Sequence, residues 1–329
     1  MSAPFSQTIN YNFLNSTTQD RFIPKIQDNI YDKSAFLFAL KQDEKINIGG
    51  GTDIKYPLKY AKNTARGTYK GWDTLDMQIP DNITAAKYDW GDYYVTGGIS
   101  GTDEDQNSGE SQVISLLKAK MEDAEDSMHD QLATDIFSGS DTDGIIGLAT
   151  AIATGTYAGI SGATYTWWNA AGVDATGHTK ANMKLSTSTS YVLTLLRNAW
   201  AASAHLGKTP NLVVTDHLTY NIIEEVLDEN ARYGKTLTGR AAGLAKAGFD
   251  ALQFRNAPII ADEYCPAGKM YVLNTDYLDF IIHPSVNMKF SGFKEPTNQR
   301  GRAFQIFFKG QLAISNRRMF YAFTNLPTS

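Results

Sequence analysis

The sequence predicts an α+β chain, and three patterns carry that expectation: a period-2 ribbon after residue 50, a long helical repeat ending near residue 138, and a strand-rich C-terminal half. The ribbon comes first. Between Thr52 and Tyr60, the apolar residues Ile54, Tyr56, Leu58 and Tyr60 alternate with Asp53, Lys55 and Lys59, which places one apolar face on a strand. Ala61 to Gly71 is small, basic and glycine-punctuated, and reads as an exposed tip. The expected return strand sets Leu75, Met77 and Ile79 against Thr74, Asp76 and Gln78 and ends at Pro80. An isolated two-stranded hairpin is marginal in water, so its apolar face needs a cover. No adjacent segment clearly supplies one, and the expectation is that another copy of the chain does.

The helix follows. From Val113 onward Leu117, Met121, Ala124, Met128, Leu132 and Ile136 recur at spacings of three or four. Lys118, Lys120, Glu122, Asp123, Glu125, Asp126 and Asp130 fill the other faces, so one amphipathic helix runs over about 110–138. Asn107 three residues before Glu110 reads as a capping-box variant, and Gly139 sits where a left-handed C-cap belongs. At about 1.5 Å per residue such a helix is roughly 40 Å long, a spine rather than a core element.

Around these two features the pattern is more ordinary. Residues 1–42 read as an arm with a short helix near Ser34 to Leu40. Ile83 to Ile99 suggests further strands, and Gly101 to Gly109 an acidic loop. A helix is expected from about Ser188 to Leu206, then a buried strand at Asn211 to Val214, then a helix capped by Asp216 that carries Leu218, Ile222, Val226 and Leu227. Ala231 to Gly248, rich in Gly, Ala, Lys and Arg, reads as a loop. Strands are expected at Phe249 to Phe254, Pro258 to Ala261, Met270 to Leu273 and Leu278 to Ile282. Phe304 to Phe323 reads as two more, the second built on Leu312, Ile314 and Met319 to Phe323.

With 329 residues, 42% hydrophobic and 20% charged, the composition is that of a globular protein large enough for two packed lobes. The apolar runs are too short to span a bilayer, and the N-terminus lacks the charged-then-apolar signature of a secretory leader. One cysteine, Cys265, excludes an internal disulfide framework and a thiolate-rich metal site. A formal net charge of −5 argues against a dedicated nucleic-acid binder, though not against a protein that lies beside DNA.

Catalytic constellations fail on chemistry. The five histidines share no ligand spacing. Asp141-Thr142-Asp143-Gly144 lacks the third acid and the downstream glutamate of a calcium loop. Gly49-Gly50-Gly51-Thr52 lacks the phosphate-binding lysine, and Gly159-Ile160-Ser161-Gly162-Ala163 has alanine where a nucleophile elbow ends in glycine. Adjacent carboxylates such as Glu122-Asp123 diverge on a helix. No catalytic residue, cofactor or metal is expected. Trp167-Trp168 reads either as core or interface anchors or as a stacking platform for a sugar or base.

The order of these elements resembles the major capsid proteins of tailed bacteriophages, the Hong Kong 97-like (Johnson) fold. The resemblance covers nearly the whole chain. It rests on the arm, ribbon and spine helix, on Trp167-Trp168-Asn169 and Asn211-Leu212-Val213-Val214-Thr215, on Phe249 to Phe254 leading through Ala257-Pro258-Ile259-Ile260 to Pro266 to Asn274, and on Gly310 to Met319. It implies an N-terminal arm (1–42), an E-loop (43–82), a peripheral domain with the spine helix (83–185), an α/β axial domain (186–284) and returning peripheral strands (285–329). The implied protein is a non-enzymatic shell subunit, forming pentamers and hexamers of an icosahedral container for double-stranded DNA in the virion, assembled in the bacterial cytoplasm.

Subunit contacts are then expected at Ile54, Tyr56, Leu58, Tyr60, Arg66, Tyr69, Lys70 and Trp72, and a capsomer-centre loop at Arg232, Lys235, Arg240 and Lys246. The implied partners are the chain itself, a separate scaffolding protein, a portal and decoration proteins, with weak proximity to packaged DNA and no membrane. Some relatives weld their shells with Lys–Asn isopeptide bonds, for which Lys59, Lys62 or Lys70 and Asn298 are the residues here, although lysines and loop asparagines are common on any surface. The alternatives are an encapsulin-like shell for cargo enzymes, a glycan-binding adhesin using Trp167 and Trp168, and a hydrolase with an unrecognised site.

Overall fold

The computed structural model describes residues 34–42, 46–47, 51–75, 77, 81–107, 116–140, 143–205, 207–229, 251–255, 257–296 and 300–328. They divide into two compact units. The larger comprises Lys33–Asp92, Leu132–Pro284 and Lys309–Ser329; the smaller includes Tyr93–Gln131 and Ser285–Phe308.

The larger unit is built on a six-stranded mixed sheet. Its order is Gly172–Asp174, Tyr321–Phe323, Met270–Leu273, Leu212–Thr215, Ala257–Ala261 and Ala251–Phe254. Val213 stands opposite both Val272 and Ile259, in antiparallel and parallel ladders respectively. The central strands LVVT and MYVL are buried throughout because both faces are covered. Val213, Ile259, Met270, Val272 and Phe323 face a cluster built from the helices Val192–Ser203 and His217–Glu229. Tyr271 alternates to the other face, where its ring lies 6.1 Å from Phe137, itself 5.2 Å from Phe36. The helix Ala35–Gln42 is tied down from a distance: Asp262 accepts from the Ser34 hydroxyl at 2.7 Å and the Phe36 N–H at 2.8 Å.

A second set of strands in this unit pairs Leu278–Ile282 antiparallel with residues 310–314, and parallel with Ile46–Asn47. Gly91 fits here only as glycine, since a Cβ would stand 2.8 Å from the Gly144 carbonyl carbon and 2.9 Å from the Gly310 oxygen. Gln311, fully buried, accepts from Ile146 N–H at 3.0 Å and donates to the Asp89 carbonyl at 2.8 Å.

In the smaller unit Ala124, Phe304 and Ile306 form a buried cluster with Val95, Met121 and Met288 against it. Gly97 lets the Phe304 ring approach, because a Cβ there would stand 2.3 Å from it. The long helix is described over Leu116–Ser138, 23 residues or about 34 Å, with residues to Gln131 counted in this unit and those from Leu132 in the larger. Ala124, Met128, Leu132 and Ile136 are buried along it as the spacing requires, and Gly139 N–H closes on the Asp135 carbonyl.

Several expectations are corrected. The ribbon's return strand is Ile83–Asp89, paired with Asp53–Lys59 from Asp53↔Asp89 to Lys59↔Ile83; the described residues between 74 and 80 are not strand. Gly101–Gln106, expected as loop, is a short helix capped by Ser100 Oγ, which accepts from Asp103 N–H, with Asn107 as its C-cap; the expected start of the spine near Glu110 lies outside the described residues. Gly301–Ile314 is one strand, so Leu312 and Ile314 belong to it, and only Tyr321–Phe323 follows as strand. The helix expected over 188–206 is shorter, Val192–Ser203, since residues 188–190 form turns.

Candidate assembly surface

The ribbon's alternation does what period 2 requires, but its apolar face meets this chain. Ile54 and Leu58, expected to await another copy, are 3% and 7% exposed. Between them the Tyr56 hydroxyl donates to Asp279 at 3.1 Å, and burial, followed by the Asp279 charge, pushes the Tyr56 phenol well above its ordinary value. The return strand adds Tyr88, whose hydroxyl donates to the Ile314 carbonyl at 2.7 Å.

From Tyr56 a chain of rings passes beneath the ribbon and returns to it. Tyr56 lies edge-on to Tyr88 at 5.9 Å, Tyr88 to Tyr157 at 5.5 Å, and Tyr157 stacks on Trp168 at 6.4 Å. Trp168 is edge-on to Trp167 at 5.7 Å, and Trp167 stacks on Tyr60 at 5.3 Å with 20° between the planes. Thus Trp167 and Trp168 are anchors; Trp168 is buried and its indole N–H donates to the Tyr157 carbonyl at 3.0 Å.

Arg317 holds the centre of this arrangement. Its guanidinium carbon is 5.1 Å from the Tyr157 ring centre and 5.9 Å from that of Trp168. Nε donates to the Ala151 carbonyl at 2.7 Å, Nη1 to Gly155 at 3.4 Å, and Nη2 to Ala153. The side chain is buried, and that desolvation lowers its pKa. The planar fork meets three carbonyls of one turn-rich segment, which is geometry a lysine does not reproduce.

Past Tyr60 the situation reverses. The loop is shaped by its own turns: Ala65 N–H donates to Asn63 Oδ1, Arg66 N–H to the Thr64 carbonyl, and Lys70 N–H to Asp73. Its large side chains lie in solvent. Tyr69 is 70% exposed, Trp72 fully so at 104%, Leu75 60% and Met77 88%; Arg66 and Lys70 are exposed beside them.

Of the expected contact residues, Ile54 and Leu58 are therefore internal, Tyr56 and Tyr60 bridge ribbon and body, and Arg66, Tyr69, Lys70 and Trp72 present a surface. Arg232, Lys235, Arg240 and Lys246, and Asn298, lie outside the described residues. Leu75 and Met77 join the exposed set, having been assigned to a strand that is not there. Trp167 as the partner of Tyr60 had no local signal, since 107 positions separate the two.

Among the described residues no group of three or more His, Cys, Asp or Glu side chains could hold a metal, and no helix is long and apolar enough to cross a membrane. Cys265 is buried, and burial pushes its thiol up, away from the reactive thiolate.

No family model matches the sequence, and no curated protein matches it. Solved structures do. The chain from the cyanophage A-1(L) capsid asymmetric unit is 19% identical, with 92% of this chain and 96% of that one covered at a TM-score of 0.63. The capsid of Myoviridae phage XM1 gives 13% identity, 93% and 97% coverage and a TM-score of 0.60. The holo-SrpI encapsulin complex from Synechococcus elongatus PCC 7942 gives 11%, 93% of both chains and 0.57. Over nearly its whole length, then, this chain has the Hong Kong 97-like fold found in phage capsid chains, a fold that an encapsulin shares.

Proposed function

We propose that this chain is a structural shell protein that assembles with copies of itself into the pentamers and hexamers of an icosahedral container for phage double-stranded DNA. The observation that carries the reading is the ribbon's loop. Tyr69, Trp72, Leu75 and Met77 are aromatic or long apolar side chains left in water on one short segment, beside the cations of Arg66 and Lys70. Aromatic and arginine side chains of this kind are the usual anchors of protein interfaces. The near full-length likeness to chains of assembled capsids supports another copy as the partner, with a loop and its receiving patch on different parts of the subunit, as closed rings require. In this reading a scaffolding protein, a portal and decoration proteins are further partners, and the virion is the destination.

The test is a loop variant, Tyr69→Ser with Trp72→Ser. Both rings are exposed, so the subunit should melt within about 0.5 kcal/mol of the parent, while particle formation measured by sedimentation falls at least tenfold. Parental assembly would remove the loop from the interface.

A shell for cargo enzymes is the second reading, favoured by the likeness to the encapsulin chain. Particle contents separate the two. Nuclease-protected double-stranded DNA supports the phage container, and a co-purifying protein without DNA supports the cargo shell.

A further inference from the structure

We propose that the stacked rings of Tyr60 and Trp167 are a releasable clasp that sets the direction in which the ribbon's loop leaves the body, making Trp167 a positioning residue for the loop. The inference concerns the subunit's conformation; only its consequence for assembly rests on the shell reading.

The geometry ranks the links of the aromatic chain. The inner rings, Tyr88, Tyr157 and Trp168, are buried, and each makes a hydrogen bond to a backbone carbonyl, at 2.7, 3.2 and 3.0 Å. The outer link differs in its exposure. Tyr60 is 38% exposed and Trp167 is half-buried.

Tyr60 also stands at a boundary. One step beyond the last ladder pair, Lys59↔Ile83, its N–H donates to the Asn82 carbonyl at 3.1 Å, and its hydroxyl donates to the Asp81 carbonyl at 2.5 Å. These bonds close the ribbon's outer end on itself, while the ring face lies on Trp167. Ile54, Leu58 and the Tyr56–Asp279 bond hold the inner part of the ribbon independently. Loss of the stack therefore leaves the inner seat in place and frees the outer end with everything beyond it.

Room for the motion exists. A groove of about 320 Å³ runs alongside, lined by Leu58, Tyr60, Trp167, Trp168, His205 and Arg318 among others. A single exposed aromatic stack shifts a two-state equilibrium by about two- to tenfold. That is enough to hold the loop in one direction most of the time and too little to lock it. A loop with two settings changes how often its exposed rings meet a partner without changing the rings themselves.

The experiment is hydrogen exchange on the unassembled full chain, comparing Trp167→Ala and Trp167→Tyr with the parent. The expected result is about two- to tenfold faster exchange at the ladder-bonded amides of residues 60 and 84 in Trp167→Ala, unchanged exchange in Leu212–Thr215, and recovery in Trp167→Tyr, which keeps a stacking ring. Equal acceleration at Leu212–Thr215 would make Trp167 a general structural residue and overturn the proposal. So would parental exchange at residue 60, or no recovery with tyrosine. If Trp167→Ala does not fold, Tyr60→Ala removes the exposed partner and is read at the same amides. Because exchange is read on single subunits, failure of the clasp is distinct from failure of the shell reading, which is scored by whether the parental chain forms particles.

Discussion

Arg317 illustrates how much one residue can organise. Its three carbonyl acceptors lie in residues 151–155, and its faces meet Tyr157 and Trp168. Replacing it with methionine removes the donor from the buried Ala151 carbonyl and from the part-buried Ala153 and Gly155 carbonyls, so Arg317→Met is expected to lower unfolding free energy by roughly 2–4 kcal/mol in urea. Arg317→Lys should recover only a minor part, because an ammonium cannot fork across three acceptors. Full recovery by lysine would mean that charge alone matters there.

Asp174 sets a pH dependence. Burial would raise its carboxyl, but the Thr176 N–H at 2.8 Å, the Thr176 side chain and His178 at 3.4 Å outweigh that and hold it below the ordinary carboxylate value. A carboxyl lowered in the folded state contributes stability above its unfolded pKa and loses it as pH falls through the folded one. Stability should therefore decline on the acid side below the ordinary Asp range, and Asp174→Asn should flatten part of that decline. A pH profile unchanged in Asp174→Asn would show that other carboxyls dominate.

At the scale of elements, the ribbon separates two jobs that alternation alone merged. Its strands are seated by Ile54 and Leu58, so Leu58→Ala should cost the subunit about 2–4 kcal/mol before any assembly. Its loop substitutions should leave the subunit's stability alone. The spine helix behaves likewise: Ile136→Ala at a fully buried position should cost roughly 2–5 kcal/mol, and Glu125→Ala on the exposed face within about 0.5 kcal/mol. Denaturant titrations of the four variants check the contrast.

What was legible in the sequence follows the same division. LVVT, MYVL and LDFII read directly as strands because both faces, or nearly so, are buried. The return strand was misplaced because residues 74–80 alternate as well as residues 83–89 do. The choice is made by Tyr88, whose hydroxyl reaches Ile314, 226 positions away. Lys309-Gly310-Gln311 resembles a turn between two strands. In fact Gly310 is where Gly91 passes closely, and Gln311 reaches Ile146 and Asp89 from within one strand of 14 residues. The acidic run after Ser100 became a helix because that serine caps it and Asp103 and Glu104 lie at its positive end.

At the scale of the molecule, the order of ribbon, spine and strand-rich end was enough to suggest the fold. The loop's exposed tip, with Tyr69 and Trp72 as contact residues, is legible in the sequence, whereas Leu75 and Met77 are not, because their alternation reads as a strand that does not form there. In the proposed shell, copies of the subunit bury Tyr69, Trp72, Leu75 and Met77, which the folded chain leaves in water. Electron microscopy of the purified full-length chain, prepared over a range of concentrations, tests this most directly. Uniform closed shells whose walls repeat this subunit are the expected result, and a population that stays monomeric at the highest concentrations would contradict the account.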